Sequence, residues 1–476
     1  MLPIVKIPQV VEHFSPYFKD LFSCSEYEQF QRYLSGLIIS ENKTVEGMNR
    51  HFVVQVKDQS TLNRFLTRSS FDWKALNKRR LDYLQAKEVT SFKSNGPIKG
   101  VLGIDDTLMA HYGSHFDDIT KLKDPHSGTV MWSHNLVTLY YSDDKIDYPV
   151  YQHVWEPPDI EKLEQKMDDL GIHLNKDKRA VKEEQSKKWR YYIADRYRDK
   201  QYKYPELVEV YKTKLWLARD LVESFIEQYP RTNLPFCFDR WYTKPMLCNY
   251  ITSKHRAYVG LLESKTKISV GPKEELTVLQ FAENLKQEHL KEDTPAKFHK
   301  VGVHWREKTT HYYAYCKTHH LPAFGKVRLV ISYKQSDLSD KNPYILISNQ
   351  FNWRAAGILS VYRRRWPVEV FYEEAKAEGL NKYQIRQDKA IRKHITLVSV
   401  VYSLLHAARY DQSLISKLQQ QLLVSVEGLI EGSVAHWRRV VKAQTFLNLV
   451  EWIANSDQDS KNWKLIIMPI IQAMTY

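Results

Sequence analysis

The chain has no sequence feature of a protein that crosses or enters a membrane. Its 476 residues contain no apolar run of the roughly 18 residues needed to span a bilayer. Residues 1–6 lack the basic, apolar and small-residue regions of a signal peptide. Cysteine is scarce as well, and Cys24, Cys237, Cys248 and Cys316 are widely separated. That spacing does not indicate a disulfide framework, so we expect a cytoplasmic protein in a reducing compartment, with no membrane partner.

Positive charge, in contrast, is abundant. Lys and Arg number 70 against 56 Asp and Glu, which gives a formal net charge of +14 at pH 7. This excess favours a polyanionic partner, most simply nucleic acid, although charge alone also fits RNA or a membrane surface. The length exceeds what one hydrophobic core usually supports, so we expect about two to four domains.

Residues 10–95 have the apolar periodicity of helices. Ser60 is a suitable N-cap for one of these helices, whose exposed side would carry Arg64 and Arg68. A short helix before it would complete a helix-turn-helix, which reads DNA with its second helix. A small helical bundle without DNA contacts predicts the same pattern, so both interpretations stay open.

Near residue 99 the sequence changes to β-strand character. An apolar strand ends at Asp105-Asp106, and residues 135–154 have the pattern of a hairpin. Residues 159–202 are highly charged, which predicts a solvated helix or a linker.

A second apolar strand ends at Asp239, and residues 266–348 contain several β-rich runs. From residue 355 onward the pattern is helical again. An aspartate after a strand is commonly a turn former or a helix cap, so these acids do not by themselves indicate a functional site.

Tyr362, Arg365, Glu369 and Lys376 form the most informative pattern, because their spacing returns to nearly the same face of an α-helix. Such a stripe suits phosphoryl transfer on a polyanion: cations hold the phosphates while the carboxylate holds a metal ion. A helix with a solvated charged face is the alternative. Pro367 fits the first turn of a helix that starts near Arg365, which would leave Tyr362 on the preceding segment.

These residues together resemble the DDE transposases of bacterial insertion sequences, in the branch with a Tyr-x2-Arg-x3-Glu-x6-Lys signature. The signature is matched at all four positions. Residues 104–107 resemble the first-acid motif of the family, and residues 238–240 resemble its second. The resemblance spans residues 98–410.

The resemblance implies a mixed α/β fold and a domain organisation. We expect a ribonuclease-H-like catalytic core of residues 98–265 and 349–410, interrupted by a β-rich insertion domain of residues 266–348. The helical residues 1–97 would bind the DNA end, and the helical residues 411–476 are a candidate dimerisation region.

The resemblance also implies roles for single residues. Asp105, Asp239 and Glu369 would be the metal ligands, and Asp106 remains the alternative first acid because only one of the pair should face the site. We expect Mg²⁺, with Mn²⁺ able to substitute, since the ligands are hard oxygens. The expected DNA-binding residues are Tyr362, Arg364, Arg365, Lys376, Arg240, Arg64 and Arg68.

The function that this resemblance implies is cut-and-paste DNA transposition. A homodimer would bind the paired terminal inverted repeats of its element, cut there, and join the freed 3′-hydroxyl to target DNA at the bacterial nucleoid. Both steps are in-line displacements at phosphorus. Two alternatives stay open: a related nuclease that cuts without joining, and a non-catalytic DNA-binding derivative.

Overall fold

The computed structural model describes residues 1–86, 100–125, 127–175, 183–271, 273–291, 294–422 and 425–455. The fold is mixed α/β, with a mixed central sheet and helical regions before and after it, which confirms the predicted fold class. Residues 87–99 and 456–476, which belong to predicted domains, lie outside the described residues. In the described part of the chain, no helix is both long and apolar enough to cross a membrane.

The N-terminal region is helical, as predicted. Its helices are α1 (Gln9–Phe14), a 3-10 helix (Ser15–Leu21), α2 (Cys24–Ile39), α3 (Val45–Asn49), α4 (Ser60–Thr67) and α5 (Trp73–Ala86). Helix α2 starts with a capping box, in which Ser23 accepts from the N–H of Glu26 and the Glu26 carboxylate accepts from the N–H of Ser23. The predicted N-cap at Ser60 is wrong: Gln59 is the cap, and Asp58 accepts from the N–H of Ser60.

The first strands form an antiparallel group. β1 (Gly100–His111) pairs with β3 (Val130–Asp143), whose other edge pairs with β2 (Thr120–Lys123) and β4 (Asp147–Trp155). The predicted hairpin is therefore β3 and β4. Both strands are almost continuously buried near the hairpin turn, which explains their apolar runs.

The described residues between β4 and β5 contain four helices: α6 (Ile160–Asp169), α7 (Glu183–Lys200), α8 (Glu206–Val210) and α9 (Lys214–Gln228). The segment predicted as a solvated helix or linker thus contains α6 and α7, and it buries an apolar face. Trp189, Ile193 and Tyr197 recur at helical spacing on α7 and pack with Leu163 and Leu207 in a cluster of their own.

The second half of the sheet continues from β1. β5 (Phe236–Phe238) is parallel to β1, and after α10 (Pro245–Ser253) the strand β6 (Tyr258–Leu261) is parallel to β5. A two-stranded sheet of β7 (Lys267–Gly271) and β8 (Glu274–Thr277) follows. Helix α11 (Val278–His289), which the β-rich pattern did not predict, starts with a capping box of Thr277 and Gln280.

Four described strands of the predicted insertion extend the central sheet, whereas β7 and β8 form the separate two-stranded sheet. The four strands are β9 (His299–Trp305), β10 (Lys308–Leu321), β11 (Gly325–Tyr333) and β12 (Tyr344–Ser348). β12 pairs antiparallel with β6, and β11, β10 and β9 follow in that order. Residues 266–348 therefore share backbone hydrogen bonds with the core, and the domain boundary at 265 stays a prediction.

Pro367 separates two helices of the signature segment. α12 (Ala355–Arg363) ends before it, and α13 (Pro367–Ala377) has Pro367 at its first position, where a missing N–H breaks no helical hydrogen bond. The expected position of Pro367 is confirmed, and a single continuous signature helix is wrong. The remaining helices are α14 (Asp388–Ala408), α15 (Gln412–Leu422), α16 (Val426–Glu431) and α17 (Val434–Ala454).

Arg306 anchors the turn between β9 and β10 to the core. Arg306 and Glu307 adopt left-handed backbone conformations, with φ of 46° and 62°. Arg306 donates to Asp147 Oδ2 at 2.5 Å, and the Asp147 side chain is only 5% exposed. Burial acts to raise the pKa of Asp147, but His406, Arg306 and the Tyr140 hydroxyl hold that pKa below its ordinary value. Arg306 thus balances a charge that would otherwise be buried without a cation.

We predict that Arg306→Met lowers the free energy of unfolding by about 2–3 kcal/mol, because Asp147 loses its cation. This is below the 3–5 kcal/mol of fully buried pairs, since the Arg306 side chain is 37% exposed. The matched control is Glu307→Gln in the same turn, where an exposed side chain should change stability by less than about 0.5 kcal/mol. Denaturant unfolding at pH 7 measures both, and equal effects would contradict the anchoring role.

Candidate active site

Asp105 and Asp106 project from opposite faces of β1. In the register with β3, Asp105 lies opposite Thr138 and Asp106 lies opposite Val137. Because side chains alternate along a strand, the two neighbouring carboxylates meet different surroundings.

Asp106 is held by three hydrogen-bond donors. Its Oδ2 accepts from Asn135 Nδ2 at 2.7 Å and from Lys214 Nζ at 2.9 Å, and its Oδ1 accepts from the Tyr242 hydroxyl at 2.8 Å. The Lys214 ammonium also lies over the ring of Trp241, 4.2 Å from its centroid. A carboxylate has about four acceptor positions, so most of those on Asp106 are used within the fold.

Asp105 faces α13. Its Oδ2 accepts from Arg365 Nη1 at 2.9 Å, its Oδ1 accepts from the N–H of Asp106 at 2.9 Å, and its backbone carbonyl accepts from the Tyr372 hydroxyl at 3.0 Å. Burial raises the pKa of Asp105 to about 7, against the opposing charge of Arg365 and with the added repulsion of Asp239 and Asp106. Asp105 and Asp239 are therefore close enough to interact electrostatically.

Asp239 closes the turn that follows β5. Its Oδ1 accepts from the N–H of Trp241 at 2.9 Å and from the N–H of Tyr242 at 3.2 Å, and Thr243 Oγ1 donates to its carbonyl at 2.7 Å. Gly260 on β6 lets this turn pack closely, because a Cβ there would lie 2.5 Å from Thr243 Oγ1. The turn-forming role of a post-strand aspartate is thus observed at Asp239.

Asp239 lies one residue beyond β5, next to Asp105, because Ile104 on β1 pairs with Phe238 on β5. Val101 on β1 and Cys237 on β5 pack into one apolar cluster with Ile358 of α12. Asp105 is in phase with Val101, and Asp239 is in phase with Cys237.

Arg365 lies between two of the predicted metal ligands. Its Nη1 donates to Asp105 Oδ2 at 2.9 Å and its Nη2 donates to Glu369 Oε1 at 2.5 Å. The Arg365 side chain is 10% exposed. Burial opposes its charge, but Tyr362, Asp105 and Glu369 raise the pKa of Arg365, so the guanidinium stays protonated.

Tyr362 on α12 and Lys376 on α13 pack on the side of β1 that Asp105 faces. Tyr362 packs against the apolar cluster beneath the site, and its ring centroid is 5.7 Å from the Arg365 guanidinium. Lys376 Nζ donates to Thr107 Oγ1 at 2.8 Å, and Thr107 is in phase with Asp105 on β1. The signature residues lie together, but on two helices and the turn between them rather than on the single helical stripe that their spacing predicts.

Two more of the predicted DNA-binding arginines lie near the core sheet. Arg364 donates to Asp144 Oδ1 at 2.8 Å, and its side chain is 12% exposed. Arg240 is exposed and directly follows Asp239.

The other two are exposed as predicted, Arg64 on α4 and Arg68 at the C-cap of that helix. The helix before α4 has 5 residues. The connection between them, residues 50–59, is longer than the roughly 3–4-residue turn of a helix-turn-helix. The geometry therefore favours the helical bundle over the helix-turn-helix.

The donor chemistry of the site fits a hard divalent cation. Asp105, Asp239 and Glu369 offer carboxylate oxygens from β1, the turn after β5, and α13. Among the described residues, however, no three His, Cys, Asp or Glu side chains are close enough together to hold a metal ion. The guanidinium of Arg365 lies between Asp105 and Glu369 and donates to both, so these two carboxylates already share a cation.

The sequence analysis missed the four side chains that hold the strand acids. Tyr372 is one helical turn after Glu369, and Tyr242 closely follows Asp239, so motif spacing carries a signal for both. Asn135 on β3 and Lys214 on α9 are far from any motif in sequence, and only the fold brings them to Asp106.

Comparison with protein families matches residues 17–275 to the family described as DDE superfamily endonuclease. The match covers more than half of the 476 residues and includes Asp105 and Asp239, whereas Glu369 lies beyond it. The chain belongs to the DDE superfamily endonucleases. This family supports metal-dependent nuclease activity on DNA. No curated protein matches the chain.

For this DDE endonuclease we predict that Asp106→Asn lowers the free energy of unfolding by about 1–3 kcal/mol, because an amide loses the ion pair with Lys214 and turns a donor toward other donors. The control is Asp144→Asn. Asp144 is 59% exposed in its pair with Arg364, so this change should cost about 0.5 kcal/mol or less. Thermal or denaturant unfolding compares the two, and a smaller loss for the Asp106 variant would refute the anchoring role.

Proposed function

We propose that this DDE endonuclease is a DNA transposase of the Tyr-Arg-Glu-Lys branch, which cuts the ends of its mobile element and joins them to target DNA. The observation that carries the proposal is the position of Arg365. This signature arginine contacts both Asp105 and Glu369, and Asp239 follows the strand β5 that pairs with β1 beside Asp105. Three carboxylates with basic groups beside them suit phosphoryl transfer on a polyanion.

Asp105, Asp239 and Glu369 are the proposed ligands of a divalent cation, Mg²⁺ in the first place and Mn²⁺ as a substitute, since all their donors are hard oxygens. Such a cation, when bound, supplies Lewis acidity to the attacking and leaving oxygens. Asp105 is the proposed first ligand rather than Asp106, because three donors within the fold already hold the Asp106 carboxylate.

The basic side chains bind and orient the DNA strand in this proposal. Lys376, tied to β1 through Thr107, and the exposed Arg240 would hold phosphates beside the carboxylates. Arg64 and Arg68 would extend the contact onto the N-terminal helices. The proposed partners are the terminal inverted repeats, target DNA, and a second copy of the chain on the paired ends, at the bacterial nucleoid.

We predict that Asp239→Asn and Glu369→Gln each lower the cleavage rate on element-end DNA about a thousandfold or more, because an amide keeps the shape but removes the charge needed at the cation. Binding of the same DNA should persist, since Lys and Arg contacts supply most of the affinity. The matched control is Glu373→Gln, an exposed carboxylate on the same helix as Glu369, which should cleave normally. A Glu369→Gln protein with near wild-type cleavage would remove Glu369 from the site.

The products of the same reaction separate transposase from nuclease. A transposase converts cut ends into strand-transfer products when target DNA is added, whereas a nuclease stops at the cut. Cleavage without joining, under conditions where both ends are bound, would leave endonuclease activity and contradict the transposase assignment.

A salt titration tests the phosphate contacts. We predict that Lys376→Ala and Arg365→Ala each weaken binding to end DNA and reduce the salt dependence of affinity by about one unit of slope. Tyr362→Phe should be milder, since it removes one hydroxyl at about 0.5–1.5 kcal/mol. Lys162→Ala on α6, whose side chain is 76% exposed, is the control for loss of one surface charge. Equal slopes for all variants and the wild type would mean that the signature cations do not contact phosphate.

A further inference from the structure

We infer that Arg365 is the resident counter-ion of the catalytic carboxylates, and that it leaves them when a divalent cation binds and is thereby released to contact DNA. The inference rests on the proposed function and adds to it an order of events, in which metal binding precedes the contact of Arg365 with phosphate. The same arginine serves the carboxylates before metal binding and the phosphate afterwards.

The first step is the geometry of the two contacts. Arg365 does not form a fork with one carboxylate. Instead Nη1 reaches Asp105 on β1 and Nη2 reaches Glu369 on α13. The guanidinium therefore bridges two elements that must both supply ligands to the proposed cation. No three acidic or metal-binding side chains in the described ranges converge on one point while it does so.

The second step is charge. Asp105 and Glu369 bind the same guanidinium, and Asp239 follows Phe238, the residue that pairs with Ile104 next to Asp105. Like charges in a partly buried site repel one another. One guanidinium brings a single positive charge to this group, whereas a divalent cation brings two. Arg365 and a metal ion cannot occupy the same position, and they would repel each other as neighbours. Binding of the metal thus favours departure of the arginine.

The third step is the backbone that carries Arg365. The residue lies in the turn between α12 and α13 rather than inside either helix. Its neighbours are fixed by contacts of their own: Arg363 Nη1 donates to the Val303 carbonyl at 3.2 Å, and Arg364 pairs with Asp144. The Arg365 side chain can therefore exchange partners while the turn stays in place. A free guanidinium beside bound DNA is suited to a bidentate phosphate contact.

Isothermal titration of the DNA-free protein with Mn²⁺ tests the inference. Arg365→Gln should bind Mn²⁺ at least about tenfold more tightly than the wild type, because the competing charge is gone. Arg365→Lys keeps one charge but replaces the planar guanidinium, which reaches both carboxylates, with a compact ammonium on a differently shaped side chain, so a smaller tightening is expected. Arg363→Gln is the matched control, because Arg363 ends α12 just before the turn and contacts the Val303 carbonyl; this variant should bind like the wild type. If Arg365 had a merely structural role, replacing it would weaken Mn²⁺ binding instead.

The Asp105→Asn variant distinguishes failure of the counter-ion inference from failure of the proposed metal site. If Asp105→Asn abolishes Mn²⁺ binding but Arg365→Gln binds no more tightly than the wild type, the metal site stands and the counter-ion inference is overturned. If Asp105→Asn binds Mn²⁺ like the wild type, the metal site itself is wrong and the proposed function fails with it. Should Arg365→Gln not fold, Arg365→Lys alone decides, since equal or weaker binding by that variant overturns the inference.

Discussion

The ion pairs of Arg365 with Asp105 and Glu369 join three parts of the chain at the candidate site. Asp105 belongs to β1 of the central sheet, Glu369 belongs to α13, and Arg365 lies in the turn before that helix. Two carboxylates placed this close on a partly buried surface require a cation between them. The arginine supplies it within the chain, so the acids can be brought together by folding before any metal or DNA is present.

The sheet determines which acid can join this arrangement. Asp105 and Asp106 differ only by strand alternation, yet one meets Arg365 and the other meets Asn135, Lys214 and Tyr242. The two adjacent aspartates therefore have different roles. Asp105 contacts Arg365 and has a pKa raised to about 7 by burial and nearby carboxylates, whereas Asp106 ties β1 to β3 and α9.

Features set by neighbouring residues could be predicted from the sequence, whereas contacts between distant segments could not. The position of Pro367 followed from its missing N–H, and the core strands followed from their apolar runs. The partners of Asp106 come from distant segments, so no spacing rule reveals them. Helix α11 was missed although Thr277 and Gln280 carry a local capping signal, because the β-rich runs around it dominated the interpretation. The inward direction of Arg365 required the fold, since a helical stripe predicts a side chain that faces solvent or DNA.

The continuity of the sheet gives the predicted insertion a direct connection to the site. Its strand β12 pairs with β6, which lies next to β5, the strand that Asp239 follows. Its β9–β10 turn places Arg306 against the buried Asp147. Arg363, two residues before Arg365, contacts the carbonyl of Val303 on β9. Three adjacent arginines thus connect the segment between α12 and α13 to other parts of the fold. Arg363 contacts the insertion strands, Arg364 contacts the β3–β4 hairpin, and Arg365 contacts the carboxylates. Backbone hydrogen bonds and the ion pair of a buried carboxylate both cross the predicted boundary at residue 265. Residues of the predicted insertion are therefore part of the framework around the candidate site.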